Sequence, residues 1–184
     1  MAYFSFRTDI NFLLAKKDFV KDEIWMTVFY FHISSSIICL STGAFQFVSS
    51  LRKEPWIKWH RILGKMYVFS ILFFAAPTGA YMAVFANGGF GTQLGFIILS
   101  VLWFVSTYIA LQAILEKDIQ SHKKWMVRSY ALTFSAVTLR LWMPILSGYF
   151  GVNPDFTVVI TAWINWIPNL LIGELILIFF PKNI

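Results

Sequence analysis

The chain has one cysteine, Cys39, so an internal disulfide and a multi-cysteine zinc or iron–sulfur centre are excluded. Charge is scarce as well. Asp, Glu, Lys and Arg make up 13% of the residues, against about 25% in soluble domains. There is no HExxH, no glycine-rich phosphate loop, no nucleophile motif and no paired-carboxylate pattern. Hydrolase and kinase chemistry therefore have no support. No soluble domain, long linker, low-complexity segment or internal repeat interrupts the chain. The N-terminus lacks a basic leader followed by an apolar core, so the first spanning helix is expected to serve as the insertion signal.

Apolar and aromatic residues take the place of charge. Of 184 residues, 58% are hydrophobic, with 20 Phe, 8 Trp and 7 Tyr, and the mean hydropathy is +0.68. A spanning helix needs about 20 mostly apolar residues. Five stretches qualify, near 24–50, 57–85, 93–115, 124–147 and 157–180. The expected fold is an all-α integral membrane bundle of five transmembrane helices. Residues 1–23 are expected to form an N-terminal surface segment, and 24–184 a single helical membrane domain. The first span is the least apolar, with Ser34, Ser35, Ser36, Ser41, Thr42 and Gln46, so one of its faces should pack against protein.

The loops alternate in charge. The first region holds Arg52, Lys53, Lys58, Arg61 and Lys65, and the third holds Lys117, Lys123, Lys124 and Arg128. The second has no charge and the fourth only Asp155. By the positive-inside rule the first and third loops and the C-terminus are cytoplasmic, and the N-terminus is outside. The net charge of +6 follows from this topology. It gives no reason to invoke nucleic acid, and the lipid bilayer is the expected partner.

Polar residues deep in the spans are candidate sites, because an ionised group there is costly unless partnered. A helix rises 1.5 Å per residue, which ranks them by depth. Arg140 lies about 18 Å beyond Arg128 on the fourth span. Asn169 lies at a similar depth on the fifth span, Asn165 one turn further, and His32 near the same side on the first. Glu174 falls in the inner third of the fifth span, level with Arg128, and is expected to neutralise Arg128, Arg61 or an inner histidine. On the fourth span His122, Ser129, Thr133, Ala136 and Arg140 share a face that should point into the bundle.

His60 and His122 open the second and fourth spans at matched height. Two such histidines can ligate a haem b iron from both sides. Gly64, one turn from His60, leaves room for a flat macrocycle, while Arg61, Arg128, Lys65 and Lys124 can pair with its propionates. Another metal held by His60 and His122 is an alternative. So is a structural or substrate-contacting role at the interface, where Trp59 and Trp125 would form an aromatic belt. His32 with Arg140 and Asn169 is a candidate pocket for a small anionic or quinone-like ligand. Arg140 can instead serve packing, by bonding to carbonyls opened by Pro144 or to Asn165 and Asn169.

Several motifs occur in a recognisable order. They begin with Gly43-Ala44-Phe45-Gln46-Phe47, Leu51-Arg52, Pro55, His60-Arg61 and Gly64-Lys65-Met66-Tyr67. Gly95-Phe96, Trp103, Asp118 and His122 follow. The run from Trp125 to Thr133, then Ala136 to Arg140 and Pro144, completes the series. From Gly43 to Pro144 the chain resembles a bacterial membrane-protein family known only as domain of unknown function 2306. The resemblance implies a multi-pass protein of the bacterial cytoplasmic membrane. It also implies that Gln46, His60, His122, Arg128 and Arg140 belong to a shared pattern. A looser, fold-level similarity is to the ascorbate-dependent transmembrane b-type cytochromes, which place histidine pairs on alternate helices. Only one pair is evident here. The leading expectation is a multi-pass membrane protein with a polar intramembrane site, in its sharpest form a haem b protein in electron transfer, with a quinone or redox protein as partner. The alternatives are a non-enzymatic binding or transport protein and an accessory membrane subunit.

Overall fold

The computed structural model describes residues 22–179, and the side chain of Ser49 is outside it. The expected surface segment at 1–23 and the basic C-terminal tail therefore lie almost wholly outside the described residues. Among the described residues, five helical spans are long and apolar enough to cross a membrane: Glu23–Gln46, Ile57–Val84, Phe90–Leu115, Ile119–Tyr149 and Pro154–Phe179. The expected all-α, five-span bundle is observed.

Local chemistry sets the ends of the spans. Asp22 caps helix α1 (Glu23–Gln46), its Oδ1 accepting from the N–H groups of Ile24 at 2.9 Å and Trp25 at 3.2 Å. Span 3 is one uninterrupted helix, α4 (Phe90–Leu115), entered through Gly88 and Gly89 at positive φ. Lys117 (φ 66°) closes it, and the Asp118 N–H returns to the Ala113 carbonyl at 2.8 Å. Asp118 then caps α5 (Ile119–Thr133). Span 4 thus begins several residues before the expected 124, because a cap can start a helix ahead of the apolar run. Asn153 with Pro154 does the same for α7 (Pro154–Ile164).

Three spans are interrupted where proline sits within them. Span 2 comprises α2 (Ile57–Ser70), a π-helical turn (Ile71–Ala75) and α3 (Ala76–Val84). Pro77 has no N–H and crowds the carbonyl one turn back. The wider turn accommodates it, with the Ala76 N–H reaching the Ile71 carbonyl. Span 4 continues from α5 into α6 (Ser135–Pro144) and a second π turn (Ile145–Tyr149). Span 5 breaks at Asn165–Trp166, between α7 and α8 (Ile167–Phe179). Pro168 leaves the Ile164 carbonyl without its helical donor there.

Helix α4 packs against α3, α5 and α7, while α1 packs against span 2 and α5 against α8. Small residues permit the closest approaches. A Cβ on Gly95 would lie 3.0 Å from the Ala162 carbonyl oxygen, and one on Gly43 would lie 2.6–2.7 Å from the rings of Tyr130 and Tyr67. Gly91 and Gly95 form a GxxxG pair, and the Trp163 indole donates to the Gly91 carbonyl at 3.2 Å. Large apolar side chains such as Phe69, Phe73, Leu171 and Phe179 cover the outside, as expected of a surface meeting lipid. The interior is rich in hydroxyls, with Ser35, Thr42, Thr107, Ser129, Thr133 and Thr161 buried.

Candidate functional site

His60 is the fourth residue of α2 and His122 the fourth of α5, so both sit in first turns at the same end of the bundle. They lie close enough for the charge of one to act on the other, and the fields of Arg52 and Arg61 also reach His60. The Nδ1 of His122 lies 2.8 Å from the Ala110 carbonyl on span 3. A carbonyl only accepts, so Nδ1 carries a hydrogen, and in the neutral ring Nε2 then holds the lone pair.

The partner of His60 is Gln46, buried at the end of α1. Its amide is oriented by its neighbours. Nε2 donates to His60 Nδ1 at 3.1 Å and to the His60 carbonyl at 3.3 Å, while Oε1 accepts from the Gly64 N–H at 3.1 Å. In this state the His60 hydrogen sits on Nε2. A half-turn of the amide would present Oε1 to an Nδ1–H and free Nε2 as a lone pair. A Cβ at Gly64 would come 3.1 Å from the Gln46 amide, so glycine allows this contact.

Arg128 and Glu174 meet one level deeper. The guanidinium grips the carboxylate at two points, Nε to Oε1 at 2.5 Å and Nη2 to Oε2 at 2.9 Å. It also lies over the Trp125 ring, 4.5 Å from its centroid. The expected neutralisation of Glu174 is met by Arg128. Both Nε and Nη2 of Arg128 are thereby committed to Glu174.

Beyond this pair lies a buried hydroxyl network. Tyr67 OH is 2.8 Å from Ser129 Oγ and 2.7 Å from Thr133 Oγ1. The Trp103 indole donates to Thr133 Oγ1 at 2.9 Å, and Thr107 Oγ1 is 2.7 Å from Ser129 Oγ. Thr133 and Thr107 also point back to the carbonyls of Ser129 and Trp103. Each hydroxyl has one hydrogen, so the network is one hydrogen short of its contacts and at least one contact is shared. It joins spans 2, 3 and 4. The shared polar face of span 4 announced Ser129 and Thr133, but nothing in the sequence pointed to Trp103 as their donor.

The remaining candidates divide. His32 Nδ1 meets the Ala75 carbonyl at 3.1 Å and Thr78 Oγ1 at 3.3 Å, both at the π turn of span 2. Arg140 is near enough for its charge to act on His32. Its side chain is nevertheless exposed, with Nη1 folded back onto the Ala136 carbonyl at 2.6 Å. The expected inward orientation of Arg140 is not observed. Span 4 tightens at Phe134, whose carbonyl accepts from both Val137 and Thr138. A face counted continuously from His122 loses its phase there. The carbonyl it uses is a helical one rather than one opened by Pro144. Asn169 is not brought to His32. Its Nδ2 donates to Thr138 Oγ1 at 3.0 Å and to the Asn165 carbonyl at 2.8 Å, across the break in span 5.

Among the described residues no group of three or more His, Cys, Asp or Glu could hold a metal ion. A two-histidine haem site falls outside that criterion. The family model described as "Predicted membrane protein (DUF2306)" matches residues 29–177. The chain belongs to the DUF2306 family. The match takes in spans 2, 3 and 4 whole, most of spans 1 and 5, and every candidate residue named above. No curated protein and no solved structure matches the chain. The likeness to b-type cytochromes therefore has no counterpart in these comparisons. As a DUF2306 protein it is a multi-pass membrane protein with buried polar interactions between its helices.

Proposed function

We propose that this DUF2306 protein is a haem b electron-transfer protein of the bacterial cytoplasmic membrane, with His60 and His122 as axial ligands. The orientation proposed with it follows the loop charges, with the His60/His122 end cytoplasmic and the N-terminus outside.

One observation carries the reading. Both imidazoles stand at one end of the bundle with Nδ1 already engaged, His122 by Ala110 and His60 by Gln46. A second ring nitrogen held by the protein is the usual setting of a metal-bound histidine. His122 is already in the ligand tautomer. His60 reaches it when the Gln46 amide turns over. That turn also sets Gln46 Oε1 against the His60 carbonyl and Nε2 against the Gly64 N–H, so binding of the group requires these Gln46 contacts to rearrange. Arg61 and Arg52, whose charges reach His60, are the cations proposed to meet propionates. Bound there, a haem supplies reversible one-electron chemistry. The protein fixes the imidazole tautomers, and the apolar spans limit water.

The partner proposed is a quinone-like molecule or a redox protein. Variants His60→Asn and His122→Asn test the assignment. Each should lose haem when the purified proteins are compared by pyridine haemochrome content. Haem retained at wild-type stoichiometry in both variants would overturn it.

A further inference from the structure

Arg140 interrupts the apolar surface of span 4. It stands in α6, in the half of the span away from His122, with the span ending at Tyr149. At 1.5 Å per residue it lies about 13 Å short of that end. Helical side chains lean toward the N-terminus of their helix. Arg140 does so, since its Nη1 donates to the Ala136 carbonyl one turn back at 2.6 Å. The guanidinium therefore turns toward the middle of the span and away from the headgroups at its nearer end.

Arginine keeps its charge, yet the described residues supply no carboxylate for it. Glu174 is committed to Arg128, toward the His60 end. Asp22, Glu23, Glu54, Glu116, Asp118 and Asp155 stand in loops or at the first residues of a span. His32 feels the charge of Arg140 but offers no negative charge in return. The bond to Ala136 leaves most of the guanidinium N–H donors without a described acceptor.

The surface around the guanidinium has the form of a helix-packing stripe. Val137, Arg140, Leu141 and Pro144 follow the i, i+3, i+4, i+7 spacing of one helical face. Arg140, Leu141 and Pro144 are exposed and Val137 is half-buried. Ile145, also exposed, extends the stripe. Helix α6 packs on α7 and on the adjoining turns of its own span, so the stripe faces outward from the bundle.

Charge and depth select the occupant. A dissolved anion is disfavoured against an apolar span. A lipid phosphate lies among the headgroups, from which the guanidinium turns away. A second copy of the chain would have to offer Glu174, which Arg128 already holds in the other half of the bundle. A carboxylate carried into the bilayer on another helix meets both conditions. Charges within spans are sustained by pairing with one another, and polar contacts join helices where lipid competes equally for apolar ones.

We propose that the 137–144 face of α6 docks a transmembrane helix of another protein, one that carries an aspartate or glutamate at the level of Arg140. The docking surface goes beyond the haem assignment and does not depend on it.

The probe is a synthetic apolar helix of about 23 residues. It has one aspartate about 13 Å from one end and a photoreactive leucine one turn away. It is added to the full chain in phosphatidylcholine nanodiscs. Light should crosslink it saturably, with adducts mapping to residues 137–145. Replacing the peptide's aspartate with leucine should raise the half-saturating amount at least about tenfold, equivalent to about 1.4 kcal/mol. Arg140→Leu should give a similar loss. Arg140→Glu should instead select a peptide with lysine in place of the aspartate, an exchange that a purely structural arginine would not show. The two peptides compared on the wild-type protein decide the matter even where a variant fails to fold. Equal crosslinking of the aspartate and leucine peptides, or adducts outside α6, would overturn the proposal. So would an aspartate preference abolished by phosphatidylglycerol, which would give Arg140 to a lipid phosphate, or a self-paired chain whose α6 leaves no room for the peptide. Haem content read on the same samples keeps the two assignments separate. Haem loss with intact aspartate-selective docking counts against the electron-transfer reading alone.

Discussion

Arg128 on span 4 and Glu174 on span 5 form a two-point ion pair, with Nε–Oε1 at 2.5 Å and Nη2–Oε2 at 2.9 Å. The side chains are 24% and 38% exposed, so the pair is neither fully buried nor freely hydrated. Losing one partner from a buried pair costs about 3–5 kcal/mol, and an exposed pair is worth at most about 1. Glu174→Gln is expected to cost about 1–2 kcal/mol, between these limits. Arg128→Met combined with Glu174→Gln should cost less than the two single changes summed. Additive losses in detergent unfolding would show that the pair contributes no coupling.

Gly43 and Gly148 should respond oppositely to alanine. A methyl at Gly43 meets two aromatic rings at 2.6–2.7 Å, whereas nothing lies within 4 Å of one at Gly148. Gly43→Ala should destabilise by about 1–3 kcal/mol through overpacking. Gly148→Ala should change the unfolding midpoint little. Equal effects would mean that the contact of α1 with Tyr67 and Tyr130 is not a tight one.

Tyr67→Phe removes a hydroxyl that bridges Ser129 and Thr133. Both keep other partners, Thr107 and Trp103. The loss should therefore be about 1 kcal/mol, nearer the average for hydrogen bonds inside membranes than the cost of an orphaned polar group. A loss above about 3 kcal/mol would show that the network does not re-pair.

Asp118 carries a pH dependence. Hydrogen bonds from Ser121 hold its carboxyl below the usual carboxylate range. A depressed folded value gives stability that is present above the unfolded value of about 3.9. That stability is lost as pH falls through the folded value. Asp118→Ala should therefore lower the melting temperature at neutral pH, and the difference from wild type should shrink as pH falls below about 4. A difference constant down to the acid limit would assign the effect to helix propensity alone.

The five spans were legible because apolar length survives any detail of packing. The Arg128–Glu174 pair was legible too, since constant helix rise sets the depth of both residues. Arg140 was misplaced because the local tightening at Phe134 spoils a face counted over five turns. The proline sites mark where spans 2 and 5 deform, but the partners of the deformed backbone depend on neighbouring helices. His32 on Ala75 is such a partner. The Gly91–Gly95 spacing was a readable packing signal that the polar residues overshadowed. The family resemblance drew notice to Gln46, yet its contact with His60 needed coordinates, because the loop between spans 1 and 2 sets their register.

The absorption spectrum of the protein purified from haem-replete cells tests the central claim most directly. A Soret band that shifts and sharpens on dithionite reduction, with narrow α and β bands, is expected of two imidazoles on one haem iron. A colourless protein whose spectrum stays unperturbed when haemin is added would contradict the assignment of His60 and His122.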